Sequence, residues 1–390
     1  MIFDGVLYLF DAISMGRGHS ETFGKGMVAA SKKKNITLKT VCGDRLPMEF
    51  SNIYNAVRIF PETVLTHEIY QKPSTHSDKV DEAVRQYVSI LEKMNATLTS
   101  QDILWDYYLY RPIQLYAYVE WLKGFSSDTR PRLVVNIDVY VDYYADWLQP
   151  LAKDIQALKP WLRIASASPT HPKKLKNLLG VPTVHMPRPM EPTKDKIKYD
   201  NVIKVGFLGQ PSTLTSFDLL PGVAKRCINE TQVSFIINCR DIEYEPNCLR
   251  AKIELQALSK RFPTRITLHE GYLEHDHYKR IMSSLSGIFV AYDPVSHFEN
   301  TPSGSVIEGL AVDTFPISIE GTSMVKEMRL FDIETPVATT QTENALVDAV
   351  KFLENNHMRL LSENKDALDK WHQFQSYDTL FEKIFVECWE

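Results

Sequence analysis

The sequence is poor in cysteine and lacks the cysteine spacings that bind metals. Its 390 residues include five cysteines, an odd number without a C-x-x-C pair: Cys42, Cys227, Cys239, Cys248 and Cys388. This pattern argues against a zinc site and favours a reduced, cytoplasmic setting. His275 and His277 flank Asp276, but these residues begin a predicted helix, where an acid in the first turn is the simpler interpretation. We therefore expect no metal.

Long apolar runs and an excess of basic residues are also missing. No apolar segment is long enough to span a bilayer. The first residues have no basic flank and carry Asp4 and Asp11, which predicts a first strand rather than a signal peptide. The chain has 44 Lys and Arg against 49 Asp and Glu, a formal net charge of −5. This balance argues against general affinity for nucleic acid.

Two nucleotide-binding motifs are incomplete in the glycine-rich turn that follows the first predicted strand. The dinucleotide motif G-x-G-x-x-G starts at Gly16 but has Glu21 where its third glycine belongs. The phosphate-binding loop G-x-x-x-x-G-K-[ST] is also absent. Five residues instead of four separate Gly18 from Gly24, and Gly26 stands where the motif has a Ser or Thr. A nicotinamide-dependent oxidoreductase is therefore disfavoured.

The sequence does contain a regular alternation of predicted strands and helices. This alternation predicts an α/β protein with parallel, doubly wound sheets, and the length suits two domains. Residues 187–192 are rich in proline and, with the polar run that follows, form the best linker. We predict a Rossmann-like N-terminal domain over residues 1–190, a Rossmann-like C-terminal domain over 200–372 and a C-terminal helix over 373–390.

Hydrophobic periodicity predicts the bounds of individual elements. One predicted helix, His171–Leu179, ends at Gly180, and two predicted strands are Ile266–His269 and Phe315–Ile319. Further helices are predicted over residues 141–158, 342–355 and 358–388.

Residues 286–322 carry the clearest chemical pattern. A buried strand is predicted over 287–292, a polar loop follows, and Ser303-Gly304-Ser305 opens an apolar-faced helix that contains Glu308. The backbone N–H groups at such a helix start suit an anion such as a diphosphate, and Gly304 lets a ligand approach closely. Glu308 lies about 6 Å further along the axis, where a carboxylate can accept two hydrogen bonds from a vicinal diol. Diphosphate and ribose together describe a sugar nucleotide; the alternative is an ordinary helix cap with a solvated glutamate.

This stretch resembles the donor-binding signature of retaining GT-B glycosyltransferases of the family-4 type. Those enzymes carry two Glu separated by seven residues, whereas Glu299 and Glu308 are separated by eight. The sequence is closer to a branch reading Y-D-P followed by S-G-x-x-x-E-x-L-A, which matches Tyr292-Asp293-Pro294 and the run from Ser303 to Ala311. The resemblance implies a GT-B fold, with the two domains facing each other across a cleft: an acceptor-side N-terminal domain, a donor-binding C-terminal domain, and a C-terminal helix over 373–390 that crosses back to the N-terminal domain.

The resemblance also implies roles for particular residues. The donor diphosphate would bind at Ser303, Gly304 and Ser305, the ribose at Glu308, and the donor sugar at Glu299 or His297. In the N-terminal loop, Gly18 and Arg17 would border the phosphates, and His19 or Glu21 would orient an acceptor hydroxyl. Asp138 would be an acceptor-side acid or base. An exposed turn around Arg17 and a surface position for Asp138 are the alternatives.

One expected feature is missing from the sequence. The loop at 209–216, which begins with Gly209, corresponds to a loop that commonly carries Arg or Lys in this family, but it has neither. Arg17, Arg188 and Arg240 are candidates to neutralise the diphosphate, and Arg240 is the best placed because it follows a predicted strand end.

The implied activity is retaining transfer of a hexosyl unit from a UDP- or GDP-sugar to a hydroxyl acceptor. The implied enzyme uses the nucleotide-diphosphate sugar as co-substrate and needs no other cofactor. The acceptor would be a glycan, a small molecule or a lipid-linked group, and a lipid-linked acceptor would require contact with the membrane surface. A nucleotide-sugar epimerase and a non-catalytic nucleotide-sugar or glycan-binding protein are the alternatives.

Overall fold

A computed structural model describes most of the chain, as two compact units. The described residues are 4–11, 19–43, 46, 48–60, 78–107, 109, 112–137, 141, 144–189, 202–240, 245–295 and 302–390. Unit 1 comprises Met1–Pro189 together with Gln375–Glu390, and unit 2 comprises Met190–Phe374. Within the described ranges, no helix is both long enough and apolar enough to cross a bilayer.

Unit 1 is built on a seven-stranded parallel sheet with the strand order β3-β2-β1-β4-β5-β6-β7. The strands are β1 (Val6–Asp11), β2 (Thr37–Gly43), β3 (Ala56–Phe60), β4 (Ile103–Asp106), β5 (Arg132–Asn136), β6 (Leu162–Ser166) and β7 (Thr183–His185). The helices between them are α1 (His19–Lys33), α2 (Met48–Ile53), α3 (Asp78–Leu91), α4 (Pro112–Lys123), α5 (Ala145–Leu148), α6 (Ala152–Ala157) and α7 (His171–Leu179).

Unit 2 repeats this architecture on a six-stranded parallel sheet with the order β10-β9-β8-β11-β12-β13. The strands are β8 (Lys204–Phe207), β9 (Ser234–Asn238), β10 (Ile266–His269), β11 (Gly287–Val290), β12 (Phe315–Ile319) and β13 (Val337–Ala338). The helices are α8 (Leu220–Glu230), α9 (Pro246–Arg261), α10 (His275–Ser284), α11 (Gly304–Leu310), α12 (Ser323–Leu330), α13 (Glu343–Glu363) and α14 (Lys365–Phe374). The predicted α/β class with two doubly wound parallel sheets is confirmed.

The central strands of unit 2 are buried on both faces. Every residue of β11 and β12 is buried, as expected for parallel strands that helices cover on two sides. Gly309 lets α11 pack closely on this sheet, because a Cβ there would lie 3.2 Å from Ile288 Cγ2 and 3.1 Å from the Thr314 carbonyl oxygen. The close approach packs the last turn of α11 against β11 and against the residue before β12.

The last segment of the chain belongs to unit 1. It forms α15 (Tyr377–Glu382) and one turn of π-helix (Lys383–Glu387). Leu380, Phe381 and Ile384 share a core cluster with Leu9, Met27 and Trp105. The Tyr377 hydroxyl donates a hydrogen bond to the Phe23 carbonyl of α1 at 3.2 Å, so the segment packs directly on the first helix.

Several predicted elements have different bounds in the structure. The helix predicted over 141–158 is divided into α5, a 3-10 turn (Gln149–Leu151) and α6, because Pro150 lacks the N–H of a regular helix. The helix predicted over 358–388 is replaced by the end of α13, by α14 and by α15. Strands β3, β7 and β13 were not predicted. They have two to five residues each and lie at the edges of the two sheets.

The contact between α1 and α15 generates a stability prediction. A Cβ on Gly26 would overlap with the Tyr377 hydroxyl. Ala is the better helix former by about 1 kcal/mol, but overpacking costs about 1–3 kcal/mol. We expect Gly26→Ala to lower the melting temperature in the wild-type background. In a Tyr377→Ala background the same change should raise it, because the overlap is gone. An equal effect in both backgrounds would contradict the contact.

Candidate functional site

The candidate site lies where the sheet of unit 2 reverses its winding. From β8 the chain winds outward through β9 and β10, and from β11 it winds in the opposite direction through β12 and β13. In open parallel sheets, ligands bind beyond the carboxyl ends of the strands at such a switch point. The loops that follow β8 and β11 both begin there, since these two strands are hydrogen-bonded neighbours.

Hydrogen bonds tie these two loops together. The Asp293 backbone N–H donates to the Leu214 carbonyl at 2.8 Å. The Ser216 hydroxyl donates to the Ala291 carbonyl at 2.5 Å and accepts from Gln341 Nε2 at 3.0 Å. Ser216 is buried and has a left-handed backbone with φ 57°, a conformation that costs a non-glycine residue about 1–2 kcal/mol. The side-chain hydrogen bonds offset that strain.

A group of hydroxyls and one carboxylate lies beside the two loops. We call Tyr278, Tyr292, Ser303, Ser305 and Glu308 the tyrosine–glutamate cluster. The Tyr278 hydroxyl, from the first turn of α10, donates to Glu308 Oε2 at 2.5 Å. The Tyr292 and Ser303 hydroxyls are 3.3 Å apart. Only 9% of the Glu308 side chain is exposed, so its carboxylate depends on such donors for solvation.

Both tyrosines of the cluster are held in their protonated form. Burial raises the pKa of Tyr278 well above its ordinary value, and the nearby Glu308 carboxylate raises it further. Burial also raises the pKa of Tyr292, while hydrogen bonds from Ser303 and Ser305 partly offset this effect. Protonated phenols can donate hydrogen bonds, which suits them to orient the carboxylate and the serine hydroxyls.

The helix at the centre of the expected donor site is short. α11 has seven residues and begins after Ser303, whose hydroxyl makes no capping bond. Ser303 is 4% exposed, whereas Gly304 and Ser305 are partly exposed. A helix of two turns contributes less dipole than a long one. The side chains of the tyrosine–glutamate cluster, more than the helix dipole, therefore define the chemistry of this edge.

The loop at 209–216 offers few side-chain hydroxyls for hydrogen bonds to a ligand. Ser212 and Thr215 form a reciprocal capping box, and Thr215 also donates to the Gln210 carbonyl at 3.1 Å. Gly209 faces open space, since a Cβ there would meet nothing within 4 Å. The backbone at Gly209 is therefore open to close approach by a ligand, while the Ser212 and Thr215 hydroxyls bond within the loop.

The arginines proposed to compensate for this loop have different surroundings. The Arg240 guanidinium follows β9 and lies 5.7 Å from the centre of the Tyr272 ring, a cation–π distance. Arg188 belongs to unit 1, where its backbone N–H donates to Gln375 Oε1 at 2.7 Å. Of the two candidate arginines that the structure describes, Arg240 lies at the carboxyl edge of the unit 2 sheet, where the loop at 209–216 also lies.

The remaining predicted site residues lie wholly or partly outside the part of the chain that the structure describes. Arg17, Gly18, Asp138, His297 and Glu299 lie outside the described residues. His19 begins α1, and its side chain is likewise not described.

His275 and Asp276 begin α10, as predicted. His269 and His277 approach with ring centres 5.2 Å apart. In the described part of the chain, no three His, Cys, Asp or Glu side chains form a group that could hold a metal ion.

Sequence reasoning missed several residues that the structure brings together here. Tyr278 precedes Glu308 by 30 residues, and Gln341 follows Ser216 by 125 residues. The sequence contains no local pattern that links such distant positions. The Y-D-P run indicates a strand end at Tyr292 but gives no sign of the hydrogen bond between Tyr292 and Ser303.

Comparisons with known proteins identify the fold. No family model matches the sequence, and no curated protein matches it either. Many solved structures match the chain, and the fold they share with it is GT-B. The chain therefore has the two-domain fold that its sequence resemblance implied.

Three of the matching structures illustrate this likeness. A glycosyltransferase from Rickettsia africae ESF-5 matches with a TM-score of 0.67 and 12% identity, over 99% of this chain and 98% of that one. A UDP-forming α,α-trehalose-phosphate synthase from Burkholderia xenovorans, bound to glucose-6-phosphate, matches with a TM-score of 0.67 and 9% identity, over 99% of this chain and 100% of that one. TarM from S. aureus, in complex with UDP, matches with a TM-score of 0.66 and 10% identity, over 99% of this chain and 100% of that one. At such identities the likeness shows the fold.

The strained loop residue generates the first prediction for this site. Ser216→Ala removes the hydroxyl that joins Ala291 and Gln341, and we expect a loss of about 1–3 kcal/mol in the free energy of unfolding. Ser216→Gly removes the same hydroxyl but adopts φ 57° without strain. It should be more stable than Ser216→Ala by about 1 kcal/mol. Urea denaturation of both variants measures this difference, and equal stabilities would show that the backbone strain is unimportant.

The buried tyrosines generate a prediction about alkaline pH. Their pKa values are raised in the folded protein, so the unfolded chain releases these protons at lower pH than the folded chain. The stability they contribute is complete below pH 10 and is lost as pH rises further. Each such proton contributes a slope of about 1.4 kcal/mol per pH unit. Tyr278→Phe should reduce the slope of this loss by the amount that one proton contributes. Tyr272→Phe, at a side chain that is 57% exposed, is the control and should leave the slope unchanged.

Proposed function

We propose that the protein is a retaining glycosyltransferase that moves a hexosyl unit from a UDP- or GDP-sugar to a hydroxyl acceptor. The observation that carries this proposal is the tyrosine–glutamate cluster at the switch point of the unit 2 sheet. It combines a buried carboxylate with oriented hydroxyls beside a strand-end loop whose Gly209 backbone faces open space. The GT-B fold of the chain and the names of its structural neighbours support the same activity.

In this proposal unit 2 binds the donor. Ser303, Gly304 and Ser305 hold the diphosphate, and Glu308 accepts hydrogen bonds from the ribose hydroxyls. A carboxylate has about four lone-pair positions, so the bond from Tyr278 leaves the geometry for a diol intact. Arg240 supplies positive charge that the loop at 209–216 lacks. Glu299 or His297 contacts the donor sugar.

Unit 1 would supply the acceptor side. Gly18 and Arg17 border the donor phosphates, His19 orients the acceptor hydroxyl, and Asp138 acts as an acid or base. The acceptor is a glycan, a small molecule or a lipid-linked group, and a lipid-linked acceptor would require contact with a membrane surface. We propose a cytoplasmic location.

The chemistry assigned to these residues is electrostatic. When the glycosidic bond to the diphosphate breaks, negative charge develops on the leaving phosphate. Preoriented N–H and O–H donors and a guanidinium stabilise that charge more than they stabilise the bound donor, which lowers the barrier. In this scheme the reaction needs no strong protein base and no cofactor besides the sugar nucleotide.

One observation favours a second candidate function. The loop at 209–216 has no Lys or Arg, and its Ser212 and Thr215 hydroxyls are engaged within the loop. A protein that binds a nucleotide sugar without transferring the sugar needs less charge stabilisation at the leaving phosphate. This non-catalytic alternative predicts nucleotide binding without turnover.

The donor assignment predicts a nucleotide-dependent rise in melting temperature. Wild-type protein is screened by thermal shift against UDP, GDP, ADP and CMP. A specific nucleoside diphosphate at about 100 times its Kd should stabilise the protein by about 2.7 kcal/mol. Glu308→Gln should reduce this stabilisation, because an amide offers one acceptor oxygen instead of two. Glu320→Gln, at an exposed carboxylate paired with Arg329, is the matched control and should respond like wild type.

Turnover then separates the candidates. A transferase consumes the sugar nucleotide only when an acceptor is present, an epimerase converts it alone, and a binding protein does neither. Failure of every nucleotide to stabilise wild-type protein would end the donor-site assignment.

A further inference from the structure

Tyr278 makes the most direct contact with the Glu308 carboxylate in the tyrosine–glutamate cluster. Its hydroxyl lies 2.5 Å from Glu308 Oε2, at the short end of the range for a hydroxyl that donates to a carboxylate. The phenol is therefore held directly against one oxygen of the acid.

The ring of Tyr278 is fixed by packing. It lies against the cluster formed by Leu208, Leu273, Ile281, Met282, Leu285, Ile288 and Val312. A tyrosine has only two side-chain torsions and so loses little freedom when its ring is packed. A packed ring fixes the position of the hydroxyl, and the hydroxyl in turn fixes one oxygen of Glu308.

Glu308 needs such a fixed partner if it binds a diol. A glutamate side chain has several rotatable bonds and loses much rotamer freedom when it is ordered. Two adjacent hydroxyl groups can be held together only when the carboxylate has one orientation. The bond from Tyr278 selects that orientation before the ligand arrives, which is the usual basis of preorganised binding.

We propose that Tyr278 is a positioning residue that orients Glu308 for the two hydroxyls of a ribose, so that the site prefers ribonucleotides to 2′-deoxyribonucleotides. This inference rests on the proposed function, in which Glu308 binds the ribose. It adds a residue that touches no substrate and acts through Glu308 alone. A purely structural Tyr278 would affect both forms of the nucleotide equally.

The test is the ratio of two dissociation constants. Calorimetry measures Kd for the ribo and 2′-deoxyribo forms of the nucleoside diphosphate that stabilises wild type. We expect wild type to bind the ribo form tighter by on the order of 10-fold, the worth of one hydrogen bond to a charged group. Tyr278→Phe should weaken the ribo form and bring the ratio close to one. Tyr292→Phe, which removes a hydroxyl that contacts Ser303, is the matched control and should keep the wild-type ratio.

A second variant guards against a folding defect in Tyr278→Phe. Glu308→Asp keeps the charge but shortens the side chain, so the carboxylate loses its contact with Tyr278, and the ratio should again approach one. An unchanged ratio in folded Tyr278→Phe would overturn the role of Tyr278 while leaving the donor site in place, whereas an unchanged ratio in Glu308→Asp would show that Glu308 does not bind the ribose and would overturn both. A wild type that binds both forms equally would overturn the role of Tyr278 as well. A wild type that binds no nucleotide would instead remove the proposed function itself.

Discussion

The reversal of winding between β8 and β11 is the constraint on which the rest of unit 2 depends. Neighbouring parallel strands that are followed by opposite crossovers leave their connecting loops side by side at one edge. Here the loops are joined by the bond from Asp293 to Leu214 and by the Ser216 hydroxyl. Tyr292 lies between Ala291 and Asp293, the two residues that make these contacts. Its hydroxyl lies 3.3 Å from that of Ser303. The position of α11 follows from the same arrangement.

In the described part of the candidate site, a neutral phenol donates a hydrogen bond to the buried acid. Taking a carboxylate out of water is costly unless hydrogen bonds replace the lost solvation. Many sites use a lysine or arginine for this purpose, but at Glu308 a phenol is the donor that the structure identifies. Burial keeps that phenol protonated. Hydroxyl groups are therefore a large part of the described site, and the loop at 209–216 has no Lys or Arg.

Much of the architecture was accessible from local patterns. The strands Ile266–His269 and Phe315–Ile319 and the helix His171–Leu179, with left-handed Gly180 after it, were predicted with their observed bounds. These segments have clear periodicity or a glycine that ends a helix. The prediction failed where the signal was weak, at the short strands β3, β7 and β13, and where a long apolar pattern concealed helix breaks at Asn364 and Gln375.

The sequence by itself determined the fold class and the segment that carries Glu308, because strand and helix periods and glycine positions are local properties of the chain. Tertiary structure alone decided which distant side chains meet, both at that glutamate and between the two loops. Tyr278, Ser216 and Gln341 come from separate elements, and their contacts depend on the order in which parallel strands pair. Strand order is set by the packing of the whole sheet, and no short run of residues encodes it.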